Sequence, residues 1–373
     1  MSEKKKVLFV GSFKNKAADG SVGGQMFACR TLVNSELKNI VDFILLDTTA
    51  ESVPAPPPYK RIPKALNRVY SLIKSLFKNK VNVAIIFSSS GLSLKEKGLM
   101  AMICKLFKVR VIFAPRSGLI RDEVAKSPFT RSFLKEVVKR ADIVLCQGSA
   151  WQAFYKQFQP SAPEKFRMMR NWIDTDKYTA VFDQRAKKQV KNSGNVKLLY
   201  LGWLEPYKGI ADLLEVFDKL VNAGIKVEAD VYGNGSLVTK ISERVNELGL
   251  VDVFRLRGWA DEVMKLNALA EADIFILPSY KEGMPNALIE AMASGLPCIS
   301  SEVGGVADLI NHKENGLIFN AGDQDKLYEN INYLYGSDEL RRSMGVKARQ
   351  FVLEKCSISF AAGYFENMIN DTK

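Results

Sequence analysis

Residues 274–300 read Ile-Phe-Ile-Leu-Pro-Ser-Tyr-Lys-Glu-Gly-Met-Pro-Asn-Ala-Leu-Ile-Glu-Ala-Met-Ala-Ser-Gly-Leu-Pro-Cys-Ile-Ser. The apolar run Ile274–Leu277 predicts a short buried strand. A helix is predicted from near Asn286 to Gly295, where the glycine and the proline two residues later end it. Cys298–Ser300 predicts the next strand. This segment therefore predicts strand, loop, helix and strand, the repeating unit of a parallel α/β sheet.

The same alternation of apolar strands and amphipathic helices runs through all 373 residues. Continuous apolar strands indicate parallel sheets covered on both faces, and the length predicts two domains. The polar stretch Arg185–Asn195 lacks periodicity and separates them. We predict an α/β fold with two doubly wound, Rossmann-like domains facing one another, at 1–185 and 195–356. The remaining predicted strands are Val7–Val10, Val41–Leu46, Val83–Phe87, Val109–Phe113, Ile143–Cys146, Leu198–Leu201 and Val227–Val231.

Two segments of the first half have distinctive patterns. Glu51–Pro63 contains five prolines, which predicts a surface loop and excludes a helix or central strand. Lys64–Phe77 predicts an amphipathic helix with apolar residues on one stripe and lysine or arginine around it. That pattern suits either an interfacial helix on anionic lipid or an ordinary surface helix.

The charge is unevenly distributed along the chain. Residues 1–190 contain 34 basic and 15 acidic residues, a net charge of +19, whereas residues 191–373 contain 19 and 26, a net charge of −7. The first half is therefore expected to meet an anionic partner. Because no zinc-finger spacing or aromatic-rich nucleic-acid motif is present, nucleic acid is not the expected partner.

The cysteine and histidine content limits the catalytic mechanisms and metal sites that the chain can form. The five scattered cysteines predict buried thiols in a reducing compartment, and the single histidine, His312, argues against a Ser-His-Asp triad or a His-based metal site. No apolar run reaches the length of a membrane-spanning helix, and the N-terminus leads directly into a strand. We therefore expect a cytoplasmic protein.

Three segments have the residue types of a ligand site. Gly20–Gln25 is a glycine-rich turn before a helix, which can be either a phosphate-binding loop or a flexible connection. Tyr200–Gly209 ends in Lys208-Gly209, at the sheet edge where open α/β sheets bind ligands. Glu282 and Glu290 frame a helix N-terminus, so two carboxylates can bind hydroxyl groups while the intervening N–H groups receive phosphate charge.

These motifs occur together and in order with Val303-Gly-Gly-Val-Ala-Asp and Asn315-Gly-Leu-Ile-Phe. On these residues the chain resembles the retaining, nucleotide-sugar-dependent glycosyltransferases of family 4, which have the GT-B fold. The C-terminal half matches over nearly its whole length, and the N-terminal half matches by layout and by Gly23-Gly24. The resemblance implies a central cleft between the domains and a C-terminal helix, about 357–373, that packs back onto the first domain.

The resemblance also implies a donor that lies mostly on the second domain. Glu290 would bind the ribose hydroxyls, and Lys208 with the Gly24 backbone would neutralise the diphosphate. Glu282 and the following backbone would hold the transferred sugar and the phosphates. The remaining donor-binding residues are then Gly23, Trp203, Arg257, Trp259, Gly283, Met284, Pro285, Asn286 and Ala287. No metal and no cofactor are expected, since the nucleotide-sugar is a co-substrate, and Asp174-Thr175-Asp176 is interpreted as structural.

Two residues depart from the family pattern. Trp203 occupies the position of an arginine that usually accompanies the lysine. The family's histidine in the first domain is missing, and Arg116 lies in the corresponding segment. We predict Glu282, Lys208 and Arg116 as catalytic residues, with Arg116 either supplying the lost charge or having a structural role.

The predicted function is a metal-independent, retaining glycosyltransferase of the hexosyltransferase type, acting in bacterial surface-polysaccharide or lipopolysaccharide biosynthesis. A glycan or a lipid-linked oligosaccharide is the expected acceptor, and the basic half would meet the inner face of the plasma membrane. Because of Trp203 and the missing histidine, a second hypothesis stays open, namely a catalytically inactive GT-B module that binds a glycan or a protein. A third hypothesis is a GT-B phosphorylase or a sugar-nucleotide epimerase.

Overall fold

The computed structural model describes residues 4–14, 24–49, 58–187 and 195–371. The chain forms two compact units, one of residues 1–172 with 358–373 and one of residues 173–357. Each unit contains one six-stranded, fully parallel sheet. Both sheets are covered by helices on each face, which is the α/β class predicted from the alternating pattern.

The sheet of the first unit has the strand order β2-β1-β3-β4-β5-β6. Its strands are β1 Lys5–Gly11, β2 Val41–Asp47, β3 Val83–Ser88, β4 Arg110–Pro115, β5 Ile143–Cys146 and β6 Phe166–Met168. The sheet of the second unit has the order β12-β11-β10-β7-β8-β9. Its strands are β7 Val196–Leu201, β8 Val227–Tyr232, β9 Phe254–Gly258, β10 Ile274–Leu277, β11 Cys298–Ser301 and β12 Leu317–Phe319.

The helices connect consecutive strands and cover both faces of each sheet. They are α1 Gly24–Asn34, α2 Pro58–Lys78, α3 Leu92–Leu106, α4 Ile120–Lys126, α5 Pro128–Arg140, α6 Ser149–Lys156, α7 Thr179–Ala186, α8 Ile210–Asn222, α9 Val238–Glu247, α10 Glu262–Glu271, α11 Asn286–Ala293, α12 Gln324–Tyr335, α13 Asp338–Lys355 and α14 Ile358–Asn370. Among the helices that the structure describes, none combines the length and the apolar character needed to cross a membrane.

Three strands, β6, β9 and β12, have no counterpart among the sequence predictions. Each lies at an edge of its sheet. β6 reads Phe-Arg-Met and β9 reads Phe-Arg-Leu-Arg-Gly, so arginines interrupt the apolar run that marks a buried strand. Short, charged edge strands carry a weak sequence signal because only one side of the strand is paired and fewer side chains are buried.

The predicted loop at Glu51–Pro63 is wrong for its last six residues. Helix α2 begins at Pro58 and contains Pro63 in its interior. Pro63 has no N–H to donate to the carbonyl of Tyr59, a loss that usually costs about 3 kcal/mol. Burial of Leu72 and Leu76 on the inner face of the same helix offsets that loss. Residues 51–57 lie outside the described part of the chain.

The segment 173–187 belongs to the second unit, whereas the sequence placed the end of the first domain at residue 185. The Arg185 guanidinium donates hydrogen bonds to the carbonyl oxygens of Leu269, at 3.2 Å, and Ala272. Phe182 lies so close to Gly295 that a Cβ there would approach its ring to 2.5 Å. These contacts attach α7 to α10 and to the end of α11 in the second unit. The predicted linker overlaps residues 188–194, which the structure does not describe.

The C-terminal helix α14 belongs to the first unit. Its buried face, including Ala361, Phe365 and Met368, joins the core cluster formed by Val7, Phe9 and their neighbours in the sheet. The Phe365 ring lies 5.7 Å from the Trp172 ring and 6.3 Å from the Phe87 ring. The first unit is therefore built from both ends of the chain.

All five cysteines are free and buried, as the sequence predicts. Burial raises the pKa of the Cys29, Cys104 and Cys146 thiols to about 12. A thiol with such a pKa stays protonated at neutral pH and is a poor nucleophile. These three side chains contribute to packing.

Candidate functional site

The candidate site of the second unit lies where β7 and β10 end, at the carboxyl edge of the sheet. After β7 the chain passes through a 3-10 turn at Pro206–Lys208 and enters α8 at Gly209. Gly209 has a φ of +69°, and a Cβ at this position would come within 2.0 Å of the Pro278 carbonyl oxygen. Only glycine fits this approach, and it brings Lys208 beside the loop that follows β10.

Lys208 and Glu282 form the central ion pair of this edge. The Lys208 Nζ lies 2.6 Å from Glu282 Oε1, and the side chains are 15% and 8% exposed. The hydroxyl of the buried Ser279 donates to the same carboxylate oxygen at 2.8 Å. Glu282 thus has two donors and is fixed in orientation.

The loop that carries Glu282 is held by a second glycine. Gly304 has a φ of +59°, and a Cβ there would lie 2.1 Å from the Glu282 carbonyl oxygen. The neighbouring Gly305 N–H donates to the Gly283 carbonyl at 2.8 Å. The Val303-Gly-Gly-Val motif therefore supports the backbone of the 282–283 loop.

Helix α11 begins directly after this loop. Its N-cap residue is Pro285, which provides no side-chain cap. A helix N-terminus carries partial positive charge, and its first N–H groups point away from the helix. Gly283 and Met284 precede this N-terminus, and Asn286 and Ala287 are the first two residues of the helix.

Glu290 lies one turn into α11 and is held by two side chains that the sequence did not identify. Lys265 Nζ of α10 is 2.9 Å from Glu290 Oε2. The Tyr178 hydroxyl also donates to the Glu290 carboxylate. Burial raises the pKa of the Tyr178 phenol, and the adjacent Glu290 raises it further, so Tyr178 remains a donor at physiological pH.

No local signal marks these supporting residues. Tyr178 ends the 3-10 turn Thr175–Tyr178 and lies 112 residues before Glu290, and Lys265 lies 25 residues before it. Asp174 directly precedes that turn. Among the described residues, no three His, Cys, Asp or Glu side chains are grouped closely enough to hold a metal ion.

Two tryptophans lie side by side in the second unit. The rings of Trp203 and Trp259 are 5.2 Å apart and inclined by 45°. Trp259 is 50% exposed, and Trp203 follows the end of β7. The pair presents aromatic surface at the edge where Lys208 lies, which is suitable for a planar base.

Arg257, predicted to flank the base, has a partner within its own sheet. Its Nε donates to Asp230 Oδ1 on β8 at 2.8 Å. This hydrogen bond raises the pKa of Arg257 above its ordinary value. The guanidinium therefore ties β9 to β8 beside Trp259.

Three of the predicted site residues, Gly23, Gly24 and Arg116, fall in the first unit. Gly24 is the first residue of α1, and Gly23 lies outside the described residues. Arg116 follows β4, and its half-buried guanidinium lies 4.8 Å from the Phe87 ring centroid and 5.0 Å from that of Trp172.

Arg116 donates to the Asn171 side-chain oxygen, which also accepts from Gln147 at 3.0 Å. Burial lowers the pKa of Arg116 to about 10, so the guanidinium remains charged at neutral pH. Its two aromatic neighbours and Asn171 fix its position at the carboxyl edge of the first sheet. A catalytic role for Arg116 stays a prediction.

The chain is similar to known proteins. Residues 181–351 match the family described as glycosyl transferases group 1. The chain is 30% identical over 250 residues to N-acetyl-alpha-D-glucosaminyl L-malate synthase of Bacillus anthracis, covering 66% of this chain and 64% of that protein. It is 28% identical over 210 residues to the capsular polysaccharide biosynthesis glycosyltransferase CapM of Staphylococcus aureus, covering 56% and 51%. The matches thus span between half and two thirds of these relatives.

The fold is also found in solved structures. That of Anabaena Alr3699/HepE in complex with UDP superposes with a TM-score of 0.70 and 16% identity, covering 98% of this chain and 99% of that one. At this identity the likeness shows the fold alone. Residues 181–351 are therefore similar to the glycosyl transferases group 1 family, in a chain that has the same two-domain α/β fold as that structure.

Proposed function

We propose that this protein is a retaining glycosyltransferase that transfers a hexose-type sugar from a nucleotide-diphosphate-sugar to a glycan or lipid-linked acceptor. The observation that carries the proposal is the grouping of Lys208, Glu282 and the N-terminus of α11, with Glu290 one turn further along. The capsular polysaccharide function named for one relative and the UDP named for one structural neighbour support it. Surface-polysaccharide biosynthesis is the process we propose.

Each part of the donor has a partner of suitable chemistry. Glu290 accepts hydrogen bonds from the ribose hydroxyls, and Glu282 from hydroxyls of the transferred sugar. Lys208 and the N–H groups at the start of α11 bind the diphosphate. The base is placed against Trp259.

In the chemical step, the bond between the anomeric carbon of the sugar and the diphosphate oxygen breaks. The anomeric carbon then bonds to the oxygen of an acceptor hydroxyl. With retention, the acceptor attacks from the face that the diphosphate leaves, through an oxocarbenium-like ion pair. The departing diphosphate oxygen accepts the proton of the acceptor hydroxyl, so a protein base is not required. The residues of the site must stabilise the negative charge on the diphosphate, which Lys208 and α11 are suited to do.

We further propose that transfer needs no divalent metal and no cofactor. A lysine and a helix N-terminus supply the positive charge that a metal ion provides in other transferases. We place the reaction in the cytoplasm, at the inner face of the plasma membrane.

The test is a thermal-shift series with UDP-, GDP- and ADP-sugars, in the presence and absence of EDTA. A ligand that binds only the folded state at about 100 times its Kd stabilises it by about 2.7 kcal/mol, which raises the melting temperature by several degrees. We expect a rise with one nucleotide class that EDTA does not change. Glu290→Ala should abolish the rise and Lys208→Ala should weaken it.

Matched controls come from an exposed lysine–glutamate pair elsewhere in the second unit, Lys326 and Glu329, whose charged atoms are 2.7 Å apart. Lys326→Ala and Glu329→Ala should keep the full rise. Absence of a rise with every donor at millimolar concentration would contradict the proposal. That result would favour the inactive module, with Trp203 in place of the usual arginine as the reason.

A further inference from the structure

Helix α2 of the first unit has a broad apolar face made of two adjacent stripes, and only one of these stripes is buried. Leu72 and Leu76 lie in the core, 0% and 7% exposed, and attach the helix to the sheet. A surface helix needs one such stripe to pack on a domain. The second stripe therefore has no explanation in the fold of the unit.

The second stripe is long and strongly exposed. Ile62, Leu66, Tyr70 and Phe77 are 51%, 65%, 65% and 76% exposed. Their spacing of four, four and seven residues keeps them on one side of the helix over four turns. Large apolar side chains are normally scattered singly on a protein surface, so a continuous row of this kind marks an interaction site.

The exposed surface continues onto the end of α3. The Phe77 ring packs edge-on against the Phe107 ring at 4.9 Å, and the adjacent Leu106 is 74% exposed. We call Ile62, Leu66, Tyr70, Phe77 and Leu106 the apolar face. It joins the two helices into one surface.

The charge around the apolar face is predominantly positive. Helix α2 contains six lysine or arginine residues and no aspartate or glutamate. Residues 58–110 contain twelve basic residues and a single acidic one, Glu96. That carboxylate is paired with Arg68 at 2.6 Å and with Lys97 at 3.1 Å, and the segment keeps a net charge of +11.

We propose that the apolar face docks onto an anionic lipid surface, with α2 lying in the plane of the headgroups. This inference deepens the membrane location in the proposed function by naming the contact residues. Apolar side chains enter the boundary of the acyl chains while lysines such as Lys74 and Lys78 meet the phosphates. A second copy of this chain fits less well, because two such faces would oppose six positive charges on each side.

The test is co-sedimentation with vesicles of phosphatidylcholine alone and vesicles in which about a quarter of the lipid is phosphatidylglycerol. The wild-type protein should bind the anionic vesicles and bind the neutral ones more weakly. High salt should weaken the binding, because the Debye length falls from about 10 Å at 0.1 M to about 3 Å at 1 M.

Leu66→Glu with Tyr70→Glu should lower the partition coefficient by about tenfold or more, since two inserted side chains become acidic. The matched control is Tyr333→Glu with Val346→Glu, the same kind of exchange at sites 50% and 52% exposed in the second unit. This control should bind like wild type. Lys74→Gln with Lys78→Gln should weaken only the binding to anionic vesicles, by roughly fivefold or more.

Two outcomes would overturn the inference. One is no binding of the wild type to anionic vesicles at low salt. The other is binding of the Leu66→Glu, Tyr70→Glu variant to anionic vesicles that equals that of the wild type. In that case the apolar face would serve self-association or contact with an acidic protein instead. The donor thermal shift of this variant should equal that of the wild type, so failure of lipid binding and failure of the proposed function are distinguishable.

Discussion

The two glutamates of the 282–290 motif are held by different residues. Glu282 accepts from Lys208 and Ser279, within the loops that follow β7 and β10. Glu290 is held by Lys265 and by Tyr178. Each carboxylate has one cationic and one hydroxyl donor, so a sugar or ribose hydroxyl must bind to the remaining lone pairs of a carboxylate that is already oriented.

At this scale, Tyr178 is predicted to position Glu290 for nucleotide binding. Tyr178→Phe removes one hydrogen bond to the carboxylate and keeps the buried ring. Because such a bond contributes about 0.5–1.5 kcal/mol, affinity for the bound nucleotide should fall by roughly two- to tenfold. Isothermal titration calorimetry with the bound nucleotide measures this affinity. Tyr335→Phe in the same unit is the control, and equal affinity of Tyr178→Phe and wild type would refute the role.

A second residue-scale prediction concerns pH. The His312 Nδ1 accepts a hydrogen bond from the Ile318 N–H at 3.1 Å, which requires a neutral ring nitrogen. Burial, with Lys313 and Lys326 nearby, lowers the pKa of His312 below its ordinary value of 6.5.

A lowered pKa in the folded state means that the unfolded chain binds the proton more readily. The contribution of His312 to stability is therefore complete above about pH 6.5 and is lost as the pH falls below it. Melting temperatures of the wild type and His312→Gln should converge between pH 7.5 and pH 5.5. A constant difference over that range would argue against this linkage.

At the scale of elements, the position of the N-terminus of α8 depends on its close approach to the end of β10. Gly209→Ala would place a Cβ 2.0 Å from the Pro278 carbonyl oxygen in a left-handed backbone conformation. We expect a loss of about 3 kcal/mol or more in the free energy of unfolding, from strain and from displacement of one element.

Gly224 provides the matched control for this change. It has a φ of +76° with no atom within 4 Å of a Cβ, so Gly224→Ala should cost only the backbone strain, about 1 kcal/mol. Urea denaturation of both variants separates the clash from the strain. Equal losses would mean that the contact between α8 and β10 is not tight.

At the scale of the whole molecule, the first unit depends on the last helix of the chain. Phe365 of α14 is fully buried beside Trp172 and Phe87. Phe365→Ala should destabilise this unit by about 3–5 kcal/mol, through lost burial and a cavity. Because the second unit contains no part of α14, its transition should move little.

Calorimetry with two resolved transitions measures this effect, and it also identifies which transition belongs to the first unit. The control is Phe360→Ala on the same helix, a side chain that is 36% exposed and should cost less. An equal shift of both transitions would show that the two units unfold together.

Local patterns account for most of the elements. The strand Ile274–Leu277 and the start of the helix at Asn286 were predicted at the bounds found in the structure. Apolar runs, helix periodicity and terminating glycines act between neighbouring residues, so they can be recognised without knowing the fold. The edge strands β6, β9 and β12 were missed because short edge strands carry a weak local signal. The start of α2 at Pro58 was missed because packing of the helix on the sheet overrides its prolines.

The main site residues can be recognised in the sequence, whereas their contact partners are known only from the folded structure. Lys208, Glu282 and Glu290 stand out in the chain as a motif next to strand ends. Their contacts with each other, with Ser279, Lys265 and Tyr178, and the attachment of α14 to the first sheet, join residues up to several hundred positions apart. Such contacts arise when the two sheets form and bring loops to one edge, so the sequence carries the chemistry of the site and the packing of the folded chain determines its geometry.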